Sequence, residues 1–203
     1  MNAKKKEIEN IKALFTSSQF PFKEISITLE SLNIEIMKMD LIKKHPQLVR
    51  ELEDKDLRGA LYYSRDLHRF YILIHADGKK DIETGFDIPL NERERFTVVH
   101  EIGHYLKHEL YQIPRKKLPE GVVFYRDQLA SQGYDPDEMF ANAFAAECLL
   151  PVGHVQRYLD SMAIDTIILP EDNSTMVAMA KRFGVNPAVV RNRLNSLGKL
   201  KEK

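Results

Sequence analysis

The run His100-Glu101-Ile102-Gly103-His104 brings together residue types that, at this spacing, can do metal chemistry. On an α-helix, side chains four apart lie on one face, one turn above the other. Two imidazoles so placed can share one cation, while Glu101 projects beside them within reach of a water the cation polarises. Two nitrogen ligands with an adjoining carboxylate base form the arrangement that zinc peptidases use for hydrolysis. The same five residues also arise by chance on ordinary surface helices, so the surrounding elements carry much of the weight.

The helix that must hold this run is well marked. Asn91 and Glu94 are spaced as a capping box, and no proline interrupts the stretch from Glu92 to Leu110. Phe96, Val99, Ile102 and Leu106 recur at helical spacing and predict one buried side. Glycine in a helix interior is unfavourable by roughly 1 kcal/mol relative to alanine. Gly103, between the two histidines, therefore predicts a close approach there by chain or substrate.

Catalytic zinc takes three protein ligands and a water, so a third ligand is required. A second helix is expected over Asp135–Leu150, with Asp135 as cap, Pro136 in the first position and Pro151 ending it. Ala141, Ala143, Ala145 and Ala146 would let another helix pack close. Glu138 shares a face with Ala141 and Ala145, and Asn142 lies over it. Glu138 could equally be the return arm of a capping box with Asp135. Glu147 offers a competing carboxylate on another face. Spacing favours Glu138 and leaves both open.

The two blocks together resemble the ImmA/IrrE family of metallopeptidases. The first is His100-Glu101-Ile102-Gly103-His104, preceded by Arg95-Phe96-Thr97 and followed by Tyr105-Leu106. The second is the stretch from Glu138 to Pro151, which follows the family pattern Glu-x-x-Ala-Asn-x-Phe-Ala-Ala-x-Leu-Leu-Met-Pro. Cys148 and Leu150 depart from that pattern in its packing part. The resemblance extends to Phe20–Met39 as an N-terminal helix and strand, and to Leu57–His75 as the hairpin before the metal helix. It implies a gluzincin-like site in which His100, His104 and Glu138 hold zinc and Glu101 is the general base. It also implies a regulatory protease that cuts a transcriptional repressor or similar protein.

Composition sets the frame. The chain has 203 residues, 43% hydrophobic and 30% charged, ordinary values for a globular protein with one sizeable core. No apolar run approaches the ~18 residues of a membrane helix. The charged start from Met1 to Glu9 argues against a signal peptide. The single cysteine, Cys148, excludes an internal disulfide and a cysteine-rich zinc site, and a reducing cytoplasm is the expected location. Net charge is zero, yet Ser174–Lys203 holds seven basic residues against one acid. A basic end of this kind suits nucleic acid, an acidic partner or a solvated tail.

Further elements are expected in order: a short helix over residues 4–16, a second using Ile25, Leu29 and Leu32, and a strand over Asn33–Asp40. Strands follow at Gly59–Tyr63 and Arg69–His75, the latter buried, then a loop to Thr84. A long connection over 111–133 carries a short strand candidate at Val122–Tyr125. At the end, Ser174–Phe183 and Ala188–Leu197 read as two helices around Gly184-Val185-Asn186-Pro187, with Val177, Ala180, Val185, Val189 and Leu194 as their shared core. This is helix-turn-helix spacing, with Arg191 and Arg193 as candidate nucleic-acid contacts. Two residues apart, those arginines cannot face the same side of a helix, which weighs against DNA reading. Family resemblance supports protein docking or core completion at least as well.

The fold expected is α+β: a small antiparallel or mixed sheet against the metal helix and an alanine-rich helix. The peptidase-like domain would span 1–165, with a helix-turn-helix-like extension at 166–203 that can pack on it. The function expected is zinc-dependent endopeptidase action on a regulatory protein, with manganese an alternative because affinity order and availability decide the metal. A regulatory protein partner is also expected, and a membrane partner is not. The competing expectation is a transcription regulator that uses its C-terminal helices, with a structural or silent metal site. His108, His45, His68, His75 and His154 are taken as non-ligands, Tyr105 and Tyr134 as packing, and Cys148 as a buried structural thiol.

Overall fold

The computed structural model describes residues 3–16, 24–39, 59–64, 66–76, 83–110, 121–122, 136–169 and 171–202. Within them the chain is α+β. Helices α1 (Ala3–Leu14) and α2 (Glu24–Leu32) lead into strand β1 (Ile34–Met39), then β2 (Gly59–Ser64), β3 (Arg69–His75) and β4 (Glu83–Gly85). Helix α3 (Glu92–Leu110) carries the histidine pair, and β5 (Gly121–Val122) precedes α4 (Pro136–Leu149), the alanine-rich helix. The remainder is α5 (Val152–Ser161), β6 (Ile167–Leu169), α6 (Asn173–Phe183), α7 (Pro187–Ser196) and β7 (Leu200–Glu202).

The main sheet is mixed and five-stranded, in the order β4-β1-β3-β2-β5. Strand β3 is central, parallel to β1 (Ile34 opposite Phe70) and antiparallel to β2 (Leu61 opposite Ile72). Its middle position explains why Phe70 to Ile74 are buried without alternation: both faces are covered. One face packs under α3, whose Val98, Val99, Ile102, Tyr105 and Leu106 join Leu61, Phe70 and Ile72 in the core. The Tyr105 ring meets Phe70 edge-on at 5.1 Å, a packing role as expected.

Local chemistry sets where α3 begins. The Asn91 side chain accepts from the amides of Arg93 and Glu94 at 3.0 Å each, and Glu94 accepts from the Asn91 amide at 2.9 Å. The predicted capping box is thus reciprocal. Glu94 also pairs with the buried ammonium of Lys38 on β1 at 2.8 Å, tying the start of the helix to the sheet. An ion pair this sheltered fixes one helix position, because breaking it strands a charge away from water.

Gly103 meets the chain itself. A Cβ built there would lie 3.0 Å from the Ala141 Cα and 3.3 Å from a Phe144 ring carbon, so α3 and α4 touch backbone to backbone at this level. Backbone cannot yield as a flexible side chain can, and overpacking of this kind costs about 1–3 kcal/mol. Gly103→Val is expected to lower the melting temperature by roughly 3–10 °C, at about 2–4 °C per kcal/mol for a chain of this size. A thermal melt unchanged within error would show that the helices tolerate wider spacing.

Three details differ from the sequence reading. Residues 83–85, read as the end of a loop, form β4 against β1, with Lys38 opposite Glu83. This pairing is made by backbone groups while Glu83 and Thr84 stay exposed, so no hydrophobic alternation announced it. Pro151 ends α4 and also stands at the N-cap of α5, a helix the pattern did not isolate. Val177 is 48% exposed and contributes no shared core, because Met176, Met179, Ala180 and Phe183 set the buried face of α6. The expected strand at Val122–Tyr125 is seen only as β5, and 123–125 lie outside the described residues, as do 40–58 and 111–120.

The last two helices follow their predicted signals. Gly184 adopts the left-handed conformation (φ 59°) after α6, and the Asn186 side chain accepts from the Ala188 amide at the start of α7, with Pro187 in the first turn. Strands β6 and β7 pair in parallel beside them. Buried Phe183, Val185, Val190 and Leu194 belong to the same hydrophobic cluster as Ile102 and Phe144. Arg95 of α3 reaches across, donating to the Gly184 carbonyl from Nε (3.2 Å) and Nη2 (2.8 Å) and to the Leu90 carbonyl from Nη1 (3.0 Å). The turn between α6 and α7 is thereby bound to the helix that bears the histidines.

Candidate metal centre

Helix α3 places His100 and His104 one turn apart, with their Nε2 atoms 3.0 Å from each other. Glu138, in the first turn of α4, reaches both: one carboxylate oxygen lies 3.4 Å from His100 Nε2 and the other 3.1 Å from His104 Nε2. Among the described residues these three form the one group of histidine, cysteine and acidic side chains close enough to share an ion, their donor atoms lying within 4.8 Å of one another. Donors held about 2.0–2.1 Å from a tetrahedral zinc stand roughly 3.3 Å apart. The measured separations bracket that figure, and two imidazoles with one carboxylate suit a divalent ion. The donor set therefore fits the group.

The close packing at Gly103 and Ala141 brings this convergence about. It draws α4 against α3 so that the carboxylate at the start of one helix lies over two turns of the other. Lys107 pairs with Asp137 and lies 5.7 Å from the Phe140 ring centroid, holding the same ends together.

Electrostatics supports a charged cluster. Burial alone would raise the Glu138 carboxyl, but hydrogen bonds and charge from both imidazoles hold it well below the usual carboxylate range. Burial would lower His100, yet the bond to Glu138 and the charges of Glu101 and Glu138 leave it raised. Glu101 is 7% exposed, and burial pushes its carboxyl upward against the pull of the two histidines. Its carboxylate accepts from the backbone of Leu61, which places it at β2 beside the donor cluster.

Sequence reasoning noted Asn142 over Glu138 without giving it a task. Its side-chain oxygen lies 3.1 Å from His100 Nδ1, so the ring donates there and presents Nε2 to the cluster. The signal was present as the four-residue spacing from Glu138. Partners of this kind fix the tautomer and aim of a ligand, and their loss typically costs about 10–100-fold in metal affinity. Asn142→Ala is expected to weaken divalent-metal binding by that factor in a chelator-competition titration while the thermal melt of the metal-free chain stays unchanged. Equal affinity in the variant would remove Asn142 from the site.

The competing carboxylate is engaged elsewhere. Glu147 lies 2.6 Å from Lys12 of α1 and 3.8 Å from Arg193 of α7, joining three helices on another side of α4. Arg193 also donates from Nε to the Leu150 carbonyl at 3.1 Å. As a candidate nucleic-acid contact it is therefore corrected: its guanidinium faces inward. Arg191 is exposed. Cys148 is fully buried, and burial pushes its thiol up, as suits an inert packing residue. Tyr134 and His45 lie outside the described residues, as does the side chain of His108.

No described helix is long and apolar enough to cross a membrane. No curated protein matches the chain. A family model described as IrrE N-terminal-like domain (Peptidase_M78) matches residues 91–195, just over half of the 203-residue chain, from α3 to the penultimate residue of α7. With the paired histidines of α3 and the carboxylate of α4 inside that span, the chain belongs to the IrrE N-terminal-like family of metallopeptidases.

Proposed function

We propose that the chain is a zinc-dependent endopeptidase, with His100, His104 and Glu138 as metal ligands and Glu101 as general base. The observation that carries this reading is the convergence of three donor groups within 4.8 Å, from two helices locked together at Gly103. When bound, the metal would supply Lewis acidity, bringing the pKa of its water down towards ~7 and polarising the scissile carbonyl.

The chain's own groups supply the rest. Glu101 adjoins His100 in sequence, is not among the three converging groups, and is sheltered from bulk solvent by β2. It takes a proton from the attacking water as the water oxygen adds to the carbonyl carbon, then passes that proton to the leaving amine nitrogen. Asn142 holds the His100 ring in its working tautomer through the Nδ1 contact.

The substrate reading is a regulatory protein such as a transcriptional repressor, cut inside the cytoplasm; it is supported by the family resemblance of the two motif blocks. A direct test is calorimetric titration of the metal-free chain with zinc and with manganese, followed by incubation with a peptide library and mass spectrometry of the new termini. One equivalent of metal and cleavage that chelation abolishes are expected. A chain that binds no divalent ion would end the reading.

A further inference from the structure

We propose that α6 and α7 brace the metal centre, with Arg95 and Arg193 as positioning residues that hold α3 against α4; the proposal rests on the metal-site reading above. Three contacts fix how those two helices run. Lys107 pairs with Asp137, Gly103 meets Ala141, and His100 meets Asn142. Residue numbers that fall along α3 match numbers that rise along α4, so the helices are antiparallel. The start of α3 therefore lies at the same end of the pair as the finish of α4.

At one end, Lys107 and Asp137 join the helices directly. At the other, the link runs through the C-terminal helices. Arg95 of α3 donates twice to the Gly184 carbonyl, in the turn that leads to α7. Arg193, on α7 itself, donates to the carbonyl of Leu150, which continues α4 through its amide bond to the Ala146 carbonyl. Both guanidinium groups are partly buried and both grip backbone, which cannot swing aside as a side chain can. Gly184 is fitted to its contact. A Cβ there would lie 2.5 Å from Arg95 Nη2 and 3.1 Å from Cζ, so only glycine both takes the left-handed turn and admits the guanidinium.

The donors stand close to the point where the helices touch, and the braced ends stand far from it. On α4, Leu150 is nine residues from Ala141, about 13.5 Å, and Glu138 is three residues away, about 4.5 Å. With the Gly103–Ala141 contact as pivot, play of about 1 Å at Leu150 moves Glu138 by about 0.3 Å. The same play at Arg95, eight residues from Gly103, moves His100 by about 0.4 Å. Metal sites hold donor distances to within about 0.2 Å. Both displacements exceed that tolerance, so loosening either remote end disturbs the ligands.

The test uses the full chain, with zinc and cobalt(II) as probes. Zinc affinity by chelator competition, the visible spectrum of the cobalt form and the melt of the metal-free chain are measured together. Arg95→Ala and Arg193→Ala should each weaken zinc binding about tenfold, the low end for groups that act through a ligand, and alter the cobalt spectrum. Ile34→Val removes a buried methyl group on β1 and should lower the melt while leaving affinity and spectrum unchanged. Gly184→Ala displaces the guanidinium, so it should weaken zinc binding in the parent chain and add nothing in the Arg95→Ala background. Where an alanine variant does not fold, Arg95→Lys or Arg193→Lys, with an ammonium in place of the fork, should give a smaller loss of the same kind. Parent-like affinity in the arginine variants overturns the brace. So does an equal loss in Ile34→Val, or losses that add between Gly184→Ala and Arg95→Ala. A parent chain that takes up no zinc overturns the metal-site reading itself, and the brace with it.

Discussion

Glu101→Gln is expected to keep the metal at one equivalent and to lower peptide hydrolysis by about 10²–10⁴-fold, the range that a positioned acid–base group contributes. The substitution preserves shape, so the buried side chain still fills its place beside α3 and its amide oxygen still accepts from the Leu61 backbone. What is lost is the capacity to take a proton. Because Glu101 stands outside the trio of converging donors, its replacement leaves those donors and the Asn142 contact untouched. Metal content, the thermal melt and turnover of a cleaved library peptide are measured together. Loss of metal in the variant would place Glu101 among the ligands, and activity within tenfold of the parent would remove it as the base.

Much of this site was legible because its signals are local. The cap at Asn91 and Glu94, the spacing of His100 and His104, and the Gly184 and Asn186 signals around the last turn each lie within a few residues of chain, and each is met in the structure. Gly103 was legible as a close approach but not as to what; Ala141 supplies the answer from 38 residues away. Features set by distant partners left weaker traces. Strand β4 exists because β1 has an unpaired side, and its own residues are exposed. Arg193 looked like a surface cation, since nothing nearby in sequence told of the Leu150 carbonyl and Glu147 that it meets. Arg95 similarly gave no hint that it would bind the Gly184 turn, 89 residues on. Val177 was misassigned although Met176, Met179, Ala180 and Phe183 recur at the helical period and form the buried face of α6.

The choice between the two carboxylates of α4 gives the second large effect. Glu138→Ala is expected to abolish the thermal stabilisation that zinc confers, whereas Glu147→Ala should retain it in full. A ligand at 100 times its dissociation constant stabilises the folded chain by about 2.7 kcal/mol, or roughly 5–10 °C here. Removing Glu138 leaves two imidazoles facing each other at 3.0 Å with no carboxylate between them, too few donors for a closed protein set. Glu147 instead holds Lys12 and approaches Arg193, and both it and Lys12 are about a third exposed. Exposed pairs of that kind contribute about 0–1 kcal/mol, so its loss should lower the melting temperature slightly and equally with or without zinc. Thermal melts of both variants, taken with and without zinc, separate the two effects. A zinc-induced shift that survives in Glu138→Ala and disappears in Glu147→Ala would reverse the assignment, and the geometry of α3 against α4 would then have to change on metal binding.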